Sequence, residues 1–169
     1  VSEHLRHKSR AITLYDYERL ILEHFPSIFK VKCITHTLGK KNRHLCDHHL
    51  SPGFITIAVI PDLTNLSRLA DRLEPKTTVA LLEDIQLFLK QRNSPFVRLR
   101  VLNPKYEKIN LKGEVQFKKG LNANFYLETL KKDILQFFSP WAFGEIQQIS
   151  FGGKVFKSSV LNFIESRTY

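Results

Sequence analysis

The sequence contains no methionine and only two cysteines, Cys33 and Cys46. The first absence leaves out the residue with which translation starts, so the stretch reads as part of a longer chain, and its stop at Tyr169, where a returning strand is expected, reads as a truncation at the carboxy-terminal end. The second excludes a disulfide scaffold and points to synthesis in a reducing compartment. No apolar run approaches the ~18–20 residues that span a bilayer, and the opening Val1-Ser2-Glu3-His4-Leu5-Arg6-His7 lacks the apolar core of a signal peptide, so no membrane partner is expected. Catalytic signatures are missing too. There is no G-x-S-x-G nucleophile elbow, and Gly152-Gly153-Lys154 lacks the other glycine and the following hydroxyl of a phosphate loop. Glu83 and Asp84 are neighbours on a helical stretch and point apart, which removes paired-carboxylate chemistry. The expectation is a protein that is not an enzyme.

What is present is ordinary for a globular protein: 169 residues, 43% hydrophobic and 25% charged, enough to bury a core. The formal charge of +10 and isoelectric point near 9.7 raise the question of a polyanion partner. The cations are scattered, however, with short pairs at Lys40-Lys41, Lys118-Lys119 and Lys131-Lys132 and no long block. Solvated faces explain them first, and a nucleic-acid-binding module is the alternative.

Periodicity gives an α+β fold class of two small mixed units, in a split βαβ or ferredoxin-like arrangement with helices packed on antiparallel or mixed sheets. In the first unit, residues 1–103, Thr13 and Asp16 have capping-box spacing and open a helix carrying Leu14, Tyr17, Leu20, Ile21 and Phe25, which Pro26 ends. Ile28–Thr35 alternates as a strand, 36–53 is a long polar loop, and Phe54–Ile60 is a buried central strand. Leu63–Glu74 is an amphipathic connector. Pro75 suits a first helical turn, and Val79, Leu82, Ile85, Phe88 and Leu89 make one stripe over Thr77–Arg92. Phe96–Leu102 alternates again, with Arg98 and Arg100 on its polar face.

In the second unit, residues 104–169, Lys108–Phe117 alternates as a strand, with Ile109, Leu111, Val115 and Phe117 on one side. Asn122 caps a helix to Phe138, and Gln147–Phe151 and Lys154–Phe156 flank Gly152-Gly153 as a hairpin. Ser158 or Ser159 caps a last helix with Val160, Leu161 and Ile164 inward.

Two constellations are candidates for function. Cys33, His36, His44, Cys46 and His48 (with His49 adjacent) are of the types zinc prefers, but Cys33-x-x-His36 and Cys46-x-His48 match no standard finger. No cofactor is therefore expected, with zinc as the alternative. Trp141 and Phe143, between a helix stop and a hairpin, and Tyr106, Arg98 and Arg100 are candidate interface residues, rings as anchors and cations for orientation. Trp141 has an equal alternative as a plug of its own unit.

Several ordered phrases carry a resemblance. Leu5-Arg6-His7-Lys8-Ser9-Arg10-Ala11-Ile12-Thr13, Phe29-Lys30-Val31-Lys32-Cys33, Val59-Ile60-Pro61-Asp62-Leu63, Ser94-Pro95-Phe96-Val97-Arg98-Leu99, Asn103-Pro104-Lys105-Tyr106-Glu107 and Phe138-Ser139-Pro140-Trp141-Ala142-Phe143 are similar to the baseplate J-like family, in the branch of contractile injection systems. The likeness spans nearly the whole chain and corresponds to the carboxy-terminal part of a larger wedge protein. It implies a structural component that docks other wedge subunits, and a second copy or paralogue of itself, in a ring. Such a protein would be assembled in the bacterial cytoplasm and end in the baseplate of a phage-tail-like particle, without nucleic acid.

Overall fold

Thr13 and Asp16 close the capping box that their spacing predicts. In the computed structural model, which describes residues 9–37, 51–64, 69–117, 122–143 and 149–167, the Thr13 hydroxyl accepts from the Asp16 amide at 3.2 Å. The Asp16 carboxylate accepts from the Thr13 amide at 2.7 Å. Two donors left over by the helix start are thereby satisfied. Helix α1, Leu14–His24, buries Tyr17, Leu20 and Ile21. Leu14 departs from the expected inward stripe and is largely exposed.

The chain divides into two compact units, Val1–Leu66 with Glu74–Tyr106, and Ser67–Leu73 with Glu107–Tyr169. In the first, strands β1 (Ile28–Thr35) and β2 (Phe54–Pro61) pair antiparallel, with an irregularity between Ile28 and Lys30. Strand β3 (Arg98–Leu102) pairs parallel to β2, giving the order β1-β2-β3. A parallel pair needs a crossover helix. After the short helix α2 (Leu69–Leu73), which belongs to the second unit, helix α3 (Val79–Lys90) makes that crossover and packs on β3, while α1 packs on β1. Tyr17, Ile21, Ile57, Val59, Ile85 and Leu89 are essentially without exposure, and each contributes about 1.5–3 kcal/mol by leaving water.

The α+β class is thus realised with a mixed three-stranded sheet. The finer split βαβ arrangement is not. In a split unit a third strand separates the two parallel ones, whereas β2 and β3 bond directly here. The physical reason is that β2, buried from Thr56 to Ile60, already has both of its edges paired. The helix start also moves. The Thr77 amide donates to the Asn103 side chain at 2.7 Å, and the Asn103 amide returns a bond to the Thr77 carbonyl at 2.9 Å. This two-way clasp holds Thr77 outside the helix, so Pro75 is a buried loop residue, Thr78 is the N-cap, and Val79 faces solvent.

In the second unit, helix α4 (Ala123–Phe138) is capped by the Asn122 side chain, as its sequence predicts. A 3-10 turn follows at Pro140–Phe143, then helix α5 at Lys157–Glu165. The expected strand over Lys108–Phe117 is not formed: these residues have no regular secondary structure, and Ile109, Leu111 and Val115 are exposed. Alternation defines a strand only if a neighbour pairs with it, and among the described residues this unit contains no sheet edge to do so. The hairpin is likewise not formed among the described residues. Gly152 does take the left-handed turn conformation, φ 72°, but Lys154–Phe156 pairs with nothing, and an isolated two-stranded hairpin is marginal in water. Residues 144–148, with the start of its first strand, lie outside the described residues. Helix α5 starts at Phe156 without a side-chain cap, placing Ser158 and Ser159 inside the first turn.

Candidate docking surfaces

Two features of the first unit fix where Arg98 and Arg100 stand. Gly53 adopts φ 78°, a conformation that favours glycine, and its carbonyl accepts from the Arg98 amide at 2.8 Å, so β3 begins at Arg98 rather than at Phe96. The Val97 amide closes a turn onto the Ser94 carbonyl at 3.1 Å. Phe96 is left in that turn, 89% exposed. The Arg98 guanidinium lies 5.3 Å from the centre of the Phe54 ring, and Arg100 is half-buried one pleat further along.

Beside this edge an open cleft of about 440 Å³ is lined by Arg10, Ile12, Tyr17, Arg92, Asn93 and Val97, among others. Its floor is tied together: the Ala11 amide donates to the Arg92 carbonyl at 3.0 Å, the Tyr17 hydroxyl donates to the Asn93 side chain, and Asn93 donates to the Val97 carbonyl at 3.1 Å. Burial pushes the Tyr17 phenol up to about 12, reinforced by Cys33 and Asp16. At the rim, Arg92 donates to the Phe88 carbonyl at 2.9 Å and its guanidinium lies 3.8 Å from the Phe88 ring centre, while His24 stacks on that ring at 4.1 Å.

Tyr106 is half-buried and acts as a strut, its hydroxyl donating to the Pro75 carbonyl at 2.8 Å; burial, with Glu74 adding to it, raises the phenol. In the second unit Trp141 is half-buried, its indole nitrogen donating to the Arg72 carbonyl at 3.1 Å, so α2 is held against the 3-10 turn. Phe143 remains outward at 40% exposure. Arg98 and Arg100 therefore share one strand and Trp141 and Phe143 one turn, and the two pairs belong to different units.

The most exposed rings, Phe96, Phe125 at 64% and Phe156 at 60%, escaped sequence reasoning. For Phe96 the preceding Ser94-Pro95 was a usable signal, since that pair favours a turn over a strand. Phe125 and Phe156 carry no such signal.

Of the possible zinc ligands, Cys33 is buried in β1, its amide donating to the Glu18 carboxylate at 2.9 Å, and burial with help from Glu18 pushes its thiol up to about 12, against the opposing Lys32. His36 is exposed at the strand end with φ 56°. His44, Cys46 and His48 lie outside the described residues. Around that segment the chain is closed by His36 and Ser51: the His36 amide donates to Phe54 at 2.8 Å, and the Ser51 amide to His36 at 2.6 Å. Among the described residues no group of three potential metal ligands gathers, and no helix is long and apolar enough to cross a membrane.

Rings and cations are thus engaged in packing and bracing, and large apolar side chains stand outward. The family described as "Baseplate protein PVC11-like" matches residues 1–169, and the chain belongs to it, as a structural component of a baseplate. The fold recurs in a chain of the cryo-EM structure of the anti-feeding prophage (AFP) baseplate, at TM-score 0.66 and 21% identity over 99% of this chain. The chain spans 33% of that longer chain. No curated protein matches it.

Proposed function

We propose that the chain is part of a wedge subunit of a phage-tail-like contractile injection system, that it works by docking neighbouring wedge subunits into a ring, and that it does so without catalysis or a cofactor. Assembly takes place in the bacterial cytoplasm, and the product resides in the particle. The observation that carries this reading is the outward placement of large apolar side chains on a family member whose role is structural: Phe96 on the first unit, and Phe125, Phe143 and Phe156 on the second. Large rings held in water are apolar area that a docking neighbour would remove, and aromatic side chains are enriched at interfaces. Arg98 and Arg100 supply orientation, and Trp141 and Tyr106 support the surfaces from within.

The test is co-purification of the protein with baseplate subunits from cells producing the particle, scored across a range of salt. Assembly that survives high salt supports apolar docking. Capture of DNA with a steep loss on adding salt, and no baseplate subunits, would favour the nucleic-acid alternative. Stoichiometric zinc in protein purified without a His-tag would overturn the cofactor-free part of the proposal.

A further inference from the structure

The segment of greatest conflict between local pattern and observed structure is Lys108–Gln116. Its odd positions are Ile109, Leu111, Gly113 and Val115, and its even positions are Lys108, Asn110, Lys112, Glu114 and Gln116, a strand pattern broken only at Gly113. Yet among the described residues none of these makes a hydrogen bond, and Ile109 and Leu111 are each 49% exposed, Val115 45%. A run of unused backbone donors and acceptors flanked by a one-sided apolar face is the form in which a strand is offered to another sheet. Disagreement between local pattern and global structure falls preferentially at functional positions.

We infer that Lys108–Gln116 is a docking strand, which adds to the free sheet edge of a different baseplate subunit, one that presents carboxylates opposite Lys108 and Lys112 and apolar residues opposite Ile109, Leu111 and Val115. The choice of occupant rests on charge. Among the described residues a second copy of this chain offers two sheet edges, whose charged side chains are all cations: Lys30 and Lys32 on β1, the latter 3.9 Å from Glu18, and Arg98 and Arg100 on β3. Like charges opposite one another destabilise a strand pair, and opposite charges stabilise it. With Lys108 and Lys112 against the lone Glu114, the segment is a cationic partner, and the whole chain carries +10. The inference rests on the baseplate reading and deepens it by naming the kind of neighbour.

The experiment is amide hydrogen exchange, followed by mass spectrometry, on the isolated protein and on assembled particles, with two variants. In the isolated protein the amides of 108–116 exchange at close to the unprotected rate; in particles they slow at least about tenfold. The double variant Asn110→Pro/Lys112→Pro removes two donors that no described residue uses, so it melts like the wild type yet drops out of particles. Lys108→Glu/Lys112→Glu also folds normally and is depleted from particles. Unchanged exchange in particles that do contain the protein overturns the inference while leaving the wedge proposal standing; absence of the wild-type protein from particles fails the wedge proposal instead. A lowered melting temperature in the proline variant would show the segment already paired within the chain, and overturn it. Undiminished incorporation of the charge-reversed variant, or protection of 108–116 in dimers of the isolated protein, overturns the acidic partner.

Discussion

The two units use their apolar residues in opposite ways. In the first, both helices and all three strands converge on one cluster, and Ile21, Ile57, Val59, Ile85 and Leu89 have no exposure. In the second, the buried apolar side chains among the described residues are Leu130, Ala142, Ile149 and Val160, while Phe125, Leu127, Leu135, Phe137, Val155, Phe156 and Leu161 are exposed. The first unit gathers a full core and leaves Ile12, Val79, Leu87 and Phe96 outside it. The second buries few among the described residues and leaves more of them in water.

The comparison can be broken at the scaffold first. Leu89→Asp places a carboxylate where no water reaches and is expected to cost at least about 4 kcal/mol, unfolding the first unit in a urea titration followed by circular dichroism. A soluble variant with a wild-type midpoint would refute the core placement. Next comes Trp141→Ala, which removes the ring and the bond to Arg72 that together brace the second unit. It is expected to cost about 2–3 kcal/mol, read as loss of the second unit's helical signal and as proteolysis within 107–169.

Alkali should act on the first unit alone. The Cys33 thiol rises from 9.0 to about 12 and the Tyr17 phenol from 10.0 to about 12, both chiefly through burial. The unfolded chain therefore loses these protons first, while the folded chain keeps them. Stability is complete below pH 9 and declines as pH rises through the folded values, because the native state then binds more protons than the unfolded one. Urea midpoints at roughly pH 8 and roughly pH 11 should diverge for the first unit and stay closer for the second, and Cys33→Ala should reduce the divergence. The smallest effect on stability is expected from Phe96→Ser and Phe125→Ser. Each should shift folding by no more than about 0.5 kcal/mol, in differential scanning calorimetry, while reducing incorporation into baseplates.

Legibility from sequence followed the same division. Thr13-Asp16, the alternation of Ile28–Thr35 and the β-branched run Phe54–Ile60 were readable because each local preference agrees with the packing around it. Asn122 was readable as a cap for the same reason. The start of α3 was not, since the clasp between Thr77 and Asn103 joins positions far apart in sequence. Lys108–Phe117 was misread, and the hairpin at Gly152 is not formed among the described residues, because pattern records what a segment is suited to pair with and not whether a partner strand is there. Of the candidate interface residues, Arg98, Arg100 and Phe143 stand at the surface or half-buried near it. Trp141 and Tyr106 were singled out by ring type, and ring type is silent about which hydroxyl or indole already has an internal acceptor.

The bond from Trp141 to Arg72 spans 69 positions, and this has a consequence for synthesis. At a translation rate of roughly 5–20 residues per second, α2 leaves the ribosome roughly 3 to 14 s before the tryptophan that braces it exists. In that interval the whole of Glu74–Tyr106 is made, so the first unit has the material to close while α2 still waits. The order of manufacture is thus written into the connectivity: every segment of the first unit is made before the tryptophan that braces α2.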